Sequence, residues 1–283
     1  MLAAAAWCVV AFFGLLVLAY YVQPTSWLDA AALHGFVAIY RPSIDWPANA
    51  LANSCNPVPY ALACVIVIGV AVKVRGLRTA AVIGFFLAAA NASSQLLKPA
   101  LAYHRELYHT DWHLYNLGDA AYPSGHATAA MSISVAVVMI VSRSYRPLVA
   151  ALGAAFTLAV SFALLILKWH FPSDIVGGYL VATALGFVSF AALLYINERW
   201  PERGTVRQAA RAAMPAPSIA LIALGLLAVG VGAGFVATRG REIATFAEHH
   251  TAAAAVASAI TVAAVVLLAA VVAISSRSRS SSR

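Results

Sequence analysis

The chain has 283 residues, of which 63% are hydrophobic and only 10% charged, against about 25% charged residues in a soluble domain. Polar groups this scarce cannot cover the apolar surface, so a soluble globular protein is excluded and an all-α, polytopic transmembrane helical bundle is expected. The net charge of +8 is carried by basic residues set singly between apolar spans rather than in a stripe, which argues against a nucleic-acid partner.

A helix needs roughly 20 apolar residues to cross the hydrocarbon core, and eight stretches qualify. The first, about 2–22, has neither a basic n-region nor a convincing cleavage site, so it reads as a helix rather than a signal peptide. A polar, Pro-punctuated segment, 23–56, follows, with an amphipathic stretch around Trp27–Tyr40 suited to the membrane surface. The second span covers about 57–72 and the third about 79–97, joined by a basic turn. A long polar loop, 98–123, leads to the fourth span, about 125–141. A short turn precedes the fifth, about 148–167, and the loop 168–173 carries the chain into the sixth, from Asp174 to near Ile196.

Residues 1–196 thus read as a six-span core. A basic linker, 197–218, joins it to two further spans within 219–274, at 219–238 and 252–274. Gly230 and Gly234 have the spacing that lets helix backbones approach closely, and packing against the core is expected of them rather than a dimer face. A homo-oligomer is compatible with the sequence but not indicated by it. The tail, 275–283, is rich in Ser and Arg and reads as disordered. Cys8 and Cys64 lie inside spans and, with Cys55, show no metal-type spacing, so neither a disulfide framework nor a zinc site is expected.

Loop charges predict the orientation. Alternate loops carry 12 Lys and Arg on one side and 6 on the other, which places the richer side in the cytoplasm. Both termini are then cytoplasmic, and all eight histidines fall on the outer side. A bacterial cytoplasmic membrane fits this Ala-rich chain.

Polar side chains at a membrane boundary cost free energy unless they are paired or functional, and one outward set stands out. His170 and Asp174 are four residues apart at the start of the sixth span. The carboxylate there can accept from one ring nitrogen and leave the other to attack, with imidazole as nucleophile; equally, Asp174 can be a helix cap beside an interfacial His. Tyr122-Pro123-Ser124-Gly125-His126 enters the fourth span, where free N–H groups and the helix dipole form an anion site. Ser124 can donate to the anion and His126 can act as general acid, or the pair can be a cap with an interfacial His. Lys98 ends the third span and reads either as a phosphate ligand or as a snorkelling side chain. No metal site is expected of His104, His109 and His113.

Lys98-x6-Arg105, then Pro123-Ser124-Gly125-His126, then His170-x3-Asp174, in this order between apolar spans, resembles the type 2 phosphatidic acid phosphatase (PAP2) superfamily, which also includes vanadium haloperoxidases. The resemblance covers roughly 57–196 and leaves the last two spans outside. It implies that His170 forms a phosphohistidine, with Asp174 as its partner and His126 as general acid. Lys98, Arg105, Ser124 and Gly125 would hold the phosphate, with no metal or other cofactor. The implied activity is hydrolysis of a lipid phosphomonoester or pyrophosphate, such as polyprenyl pyrophosphate, phosphatidic acid or phosphatidylglycerol phosphate. The implied partners are that substrate and the surrounding membrane lipids.

Two positions depart from the family pattern. Glu106 follows Arg105 where Pro is usual, and Ala163-Leu164 stands where Ser-Arg is usual. Lys168, two residues before His170, is expected to supply the charge that Leu164 cannot. Two other classes stay open from the sequence: a lipid-phosphate-binding protein without turnover, and a transporter-like bundle.

Overall fold

A computed structural model describes residues 1–103, 117, 120–200 and 240–277. The predicted seventh span with Gly230 and Gly234, the linker from 201 on and residues 278–283 lie outside the described residues. So does the loop stretch holding His104, Arg105, Glu106, His109 and His113.

All regular structure among the described residues is helical: α1 (Leu2–Tyr21), α2 (Gln23–Ala38), α3 (Pro42–Asn53), α4 (Pro57–Arg75), α5 (Leu77–Ala100), α6 (Gly125–Ile140), α7 (Arg146–Ile166), α8 (Pro172–Arg199), α9 (Gly240–His249) and α10 (Thr251–Arg277). Prolines at the first helical positions of α2, α3, α4, α7 and α8 mark the starts, where a missing N–H costs nothing. Gly76 makes the break between α4 and α5 at φ 87°, a conformation that side-chain-bearing residues rarely adopt.

Among the described residues, six helices are long and apolar enough to cross a membrane: α1, α4, α5, α7 with its preceding turn, α8 and α10. The expected fourth span, α6, is shorter. Its 16 residues extend about 24 Å at the usual rise per residue, less than the roughly 30 Å of the hydrocarbon core. The reason is its position. It packs against α4, α5, α7 and α8, and Ala127, Ala130, Met131, Val135, Ala136 and Val138 are all fully buried. A helix surrounded by protein need match only its neighbours. Its Ala and Ser content lets those neighbours come close.

Hydroxyl groups tie the helices inside this core. Tyr60 of α4 donates to the Leu87 carbonyl of α5 at 3.1 Å and lies 3.1 Å from Ser132 Oγ of α6. Ser134 of α6 meets Thr157 of α7 at 3.1 Å, and Ser161 of α7 meets Tyr179 of α8 at 2.6 Å.

The stretch expected on the membrane surface is α2, and it is docked on the bundle. Leu33 and Phe36 are buried, and Phe36 stacks on Phe162 of α7 with ring centroids 5.8 Å apart. The last helix also packs inward, against α2, α7 and α8. Its buried residues Ala253, Ile260, Ala264, Leu268 and Val271 form one stripe at helical spacing. Val262, Val265 and Val266 remain exposed on the other side, as a lipid-facing surface requires.

Candidate active site

The ends of α5 and α7 and the starts of α4, α6 and α8 meet at one end of the bundle. At the start of α8, Asp174 is the third helical residue, and its Oδ2 accepts the N–H of Phe171 at 2.9 Å. This is the half of a capping box that the acidic residue supplies. The same oxygen lies 3.5 Å from Nδ1 of His170. That is longer than an ordinary N–H···O bond of about 2.9 Å, a looseness that catalytic pairs lose on binding substrate. Nδ1 is buried and has no closer partner among the described residues. Capping and orienting, alternatives when only the sequence is read, are here two contacts of one carboxylate.

Ser124 caps α6. Its Oγ accepts from Ala127 N at 3.3 Å, and its carbonyl accepts both Thr128 N and Thr128 Oγ1. The turn is fastened to α8 by Ser124 N donating to the Asp174 carbonyl at 2.9 Å. Two glycines make that approach feasible. A Cβ on Gly178 would stand 2.7 Å from the Ser124 carbonyl oxygen, and one on Gly177 would stand 2.5 Å from the Tyr122 ring. Tyr122 in turn donates to the Phe12 carbonyl of α1 at 2.7 Å. The Gly177-Gly178 pair was not singled out from the sequence, although adjacent glycines near the start of a long apolar helix are a usable signal.

His126 therefore projects from the first turn of α6 toward α8. Its ring centroid lies 6.4 Å from that of His170 and 5.4 Å from that of Trp169. Lys98, in the last turn of α5, completes the wall: its Nζ is 3.8 Å from where a Gly125 Cβ would be, next to Gln95 Nε2 at 2.8 Å. Lys98 is close enough to Asp174 and His126 to feel their charges. The structure thus brings together Lys98, Ser124, Gly125, His126, His170 and Asp174. Arg105 lies outside the described residues.

Lys168 sits in the turn that delivers His170. α7 closes in a Schellman motif, with Lys168 N donating to Leu165 O at 3.1 Å and Trp169 N donating to Leu164 O at 2.9 Å. Lys168 occupies its left-handed position at φ 63°, where Gly is the usual residue. Leu164 is fully buried, so the position that differs from the family pattern is part of the apolar core.

Two further side chains belong to this end. Asp29 of α2 is buried and accepts from Ser173 N at 2.9 Å and from Ser173 Oγ at 2.6 Å. It pins α2 over the first turn of α8. It is the only acidic residue among the first 44, which is the signal that singles it out. Asn56, at the start of α4, has its Oδ1 2.8 Å from His126 Nε2.

Beside the site runs a cavity of about 500 Å³ between α4 and α5. Asn91 and Gln95 line its polar end, and Cys64, Ile68, Gly84 and Leu87 line the rest.

A polytopic helical membrane protein with paired histidines, a carboxylate and a helix-start anion cradle at one bundle end is the class that these features define. Residues 77–198, from α5 to α8, match the model of the PAP2 superfamily. Among curated proteins it is similar to the undecaprenyl-diphosphatase BcrC of Bacillus subtilis, with 35% identity over 72 residues. That match covers 25% of this chain and spans only 35% of the relative's length. The fold is similar to the crystal structure of a transmembrane PAP2-type phosphatidylglycerolphosphate phosphatase from Bacillus subtilis. There the TM-score is 0.56 at 16% identity, covering 71% of this chain and 98% of that one.

Proposed function

We propose that the protein is a membrane lipid phosphatase that removes a terminal phosphate from a lipid phosphomonoester or pyrophosphate. The observation that carries the reading is the juxtaposition of His170, whose Nδ1 lies 3.5 Å from Asp174 Oδ2, with His126 across a gap of 6.4 Å between ring centroids. Nε2 of His170 bonds to phosphorus as the bond to the leaving oxygen breaks, and His126 passes its proton to that oxygen. Water then attacks the phosphohistidine phosphorus as the bond from phosphorus to His170 Nε2 breaks, and a proton of that water goes to His126. Inorganic phosphate leaves and both imidazoles are restored.

Lys98, the backbone N–H of Gly125, the Ser124 hydroxyl, Arg105 and Lys168 neutralise the phosphoryl oxygens; such electrostatic stabilisation is the larger part of phosphoryl-transfer catalysis. Asp174 fixes the tautomer of His170. The apolar cavity between α4 and α5 supports a lipid substrate, because it starts beside Gln95 at the phosphate cradle and runs to Ile68 and Gly84. From Pro57 to Ile68 this is about 16 Å along α4, room for a long stretch of acyl or prenyl chain.

The purified protein should release inorganic phosphate from at least one of polyprenyl pyrophosphate, phosphatidic acid and phosphatidylglycerol phosphate. His170→Ala should abolish the release, and Asp174→Asn should lower it by up to about 10⁴-fold through loss of the tautomer. Near wild-type turnover by His170→Ala would overturn the mechanism.

The loop charges support a site on the outer face of a bacterial cytoplasmic membrane, with both termini inside. In a background lacking Cys8, Cys55 and Cys64, a cysteine replacing His249 should react with an impermeant thiol reagent in intact cells, and one replacing Lys73 should not. The reverse labelling would place the site in the cytoplasm.

A further inference from the structure

From its contact with His126 we infer that Asn56, outside the region matched to the superfamily, is a positioning residue for the general acid. The inference rests on the reading of His126 given above. Asn56 Nδ2 donates to Asn53 Oδ1 at 2.8 Å, so its oxygen end is the one turned to His126 Nε2, also at 2.8 Å. A carboxamide oxygen only accepts. The proton of His126 is therefore held on Nε2, and the ring is fixed by Asn56 on that side and by the edge contact with Trp169 on another.

The backbone of Asn56 is equally well fixed. Its N–H donates to Asn53 O at 3.0 Å and its carbonyl accepts Tyr60 N at 2.9 Å. The side chain does not cap α4, so holding the imidazole is its own contact rather than a by-product of starting the helix.

The place fits a leaving-group role. Pro57, the next residue, is the first to line the α4–α5 cavity. A lipid whose chain lies in that cavity and whose phosphorus faces His170 would bring its bridging oxygen up to the Asn56–His126 pair. In the resting site Asn56 Oδ1 accepts the proton that this oxygen receives in the reaction. When substrate binds, the bridging oxygen takes over as acceptor from Oδ1, and the ring is already aimed.

The test compares two probes of unequal need for protonation. Dioctanoyl phosphatidic acid leaves as an alkoxide and needs the acid, whereas p-nitrophenyl phosphate leaves as a stable phenolate. General acid catalysis contributes about 10²–10⁴ in rate, and loss of aim should remove part of it. Asn56→Ala should lower kcat on the alkyl phosphate on the order of tenfold or more, with KM and kcat on the aryl phosphate little changed. Asn56→Asp keeps an acceptor in place, so it should preserve the alkyl-to-aryl kcat ratio while raising KM by repulsion of the phosphate.

An equal fall on both probes, or no change on either, overturns the inference. His126→Ala separates the two levels: it should show the same selectivity for the alkyl probe, more strongly. If it lowers both probes equally, the reading of His126 as general acid fails. If His126→Ala is selective and Asn56→Ala is not, only the role of Asn56 fails.

Discussion

The two ends of the bundle hold their charges in different ways. At the end away from the site, guanidinium groups close helix C-termini. Arg75 donates to the carbonyls of Ile140 and Val141 at 2.5 and 2.6 Å, where α6 stops. Arg146 donates to Ser275 O at 3.1 Å and Ser275 Oγ at 2.9 Å, near the end of α10. At the site end, side chains engage one another: His126 with Asn56, His170 with Asp174, Ser173 with Asp29.

Helix direction explains the difference. The site end collects the N-termini of α4, α6 and α8, whose dipoles favour an anion. The other end receives the C-termini of those same helices, whose carbonyls favour a cation. One topology thus gathers helix starts, which favour an anion, at one end and a set of cation-capped stops at the other. The basic residues that orient the chain therefore do two unlike jobs.

Lys168 is where this comparison can be broken most sharply. It follows the C-terminus of α7 at the site end, so it might have been a cap like Arg75, but the Schellman bonds already satisfy Leu164 O and Leu165 O through backbone N–H groups. Capping does not need the ammonium. A left-handed lysine also costs roughly 1–2 kcal/mol relative to a right-handed conformation, and Gly would remove that cost. Lys168→Gly should therefore keep or raise the unfolding midpoint in detergent. Its turnover should fall about 10²–10³-fold, as for loss of one oxyanion donor, and Lys168→Arg should retain most of it. Unchanged kcat and KM in Lys168→Gly would remove Lys168 from the site.

Much of the fold was legible because hydropathy measures solvent, and the solvent here is lipid. It also marked the limits of α6, about 125–141 expected and Gly125–Ile140 observed; what hydropathy does not supply is why so short a helix suffices, since a helix buried in protein obeys its neighbours instead of bilayer thickness. The order of Lys98, Ser124-Gly125-His126 and His170-x3-Asp174 marked residues that the fold gathers at one bundle end. Contacts across the chain were not legible in the same way. Asp29 meets Ser173 over a separation of 144 residues, and Asn56 meets His126 over 70. No local pattern encodes either pairing. The left-handed backbone of Lys168 was hidden too, because Gly is the usual residue at that position and a lysine does not mark it.

The smallest expected effect on rate is at the opposite end, and it sharpens the contrast. Arg75→Met keeps an apolar stem and removes both donors to α6. Hydrogen bonds from charged groups contribute about 1.5–3 kcal/mol, and Arg75 is only partly buried, so a loss of about 1–2 kcal/mol is the appropriate scale. It should appear as a lower unfolding midpoint in detergent. The site end lies at the other terminus of α6, where Ser124, Ala127 and Thr128 are fastened to one another and to Asp174 by their own bonds. Turnover measured well below that midpoint should stay within about twofold of the parent, since a surface change remote from such a network is close to neutral. A large fall in kcat with an unchanged midpoint would mean that the C-terminal cap of α6 sets the geometry of its N-terminus, and the two ends would then be one device instead of two.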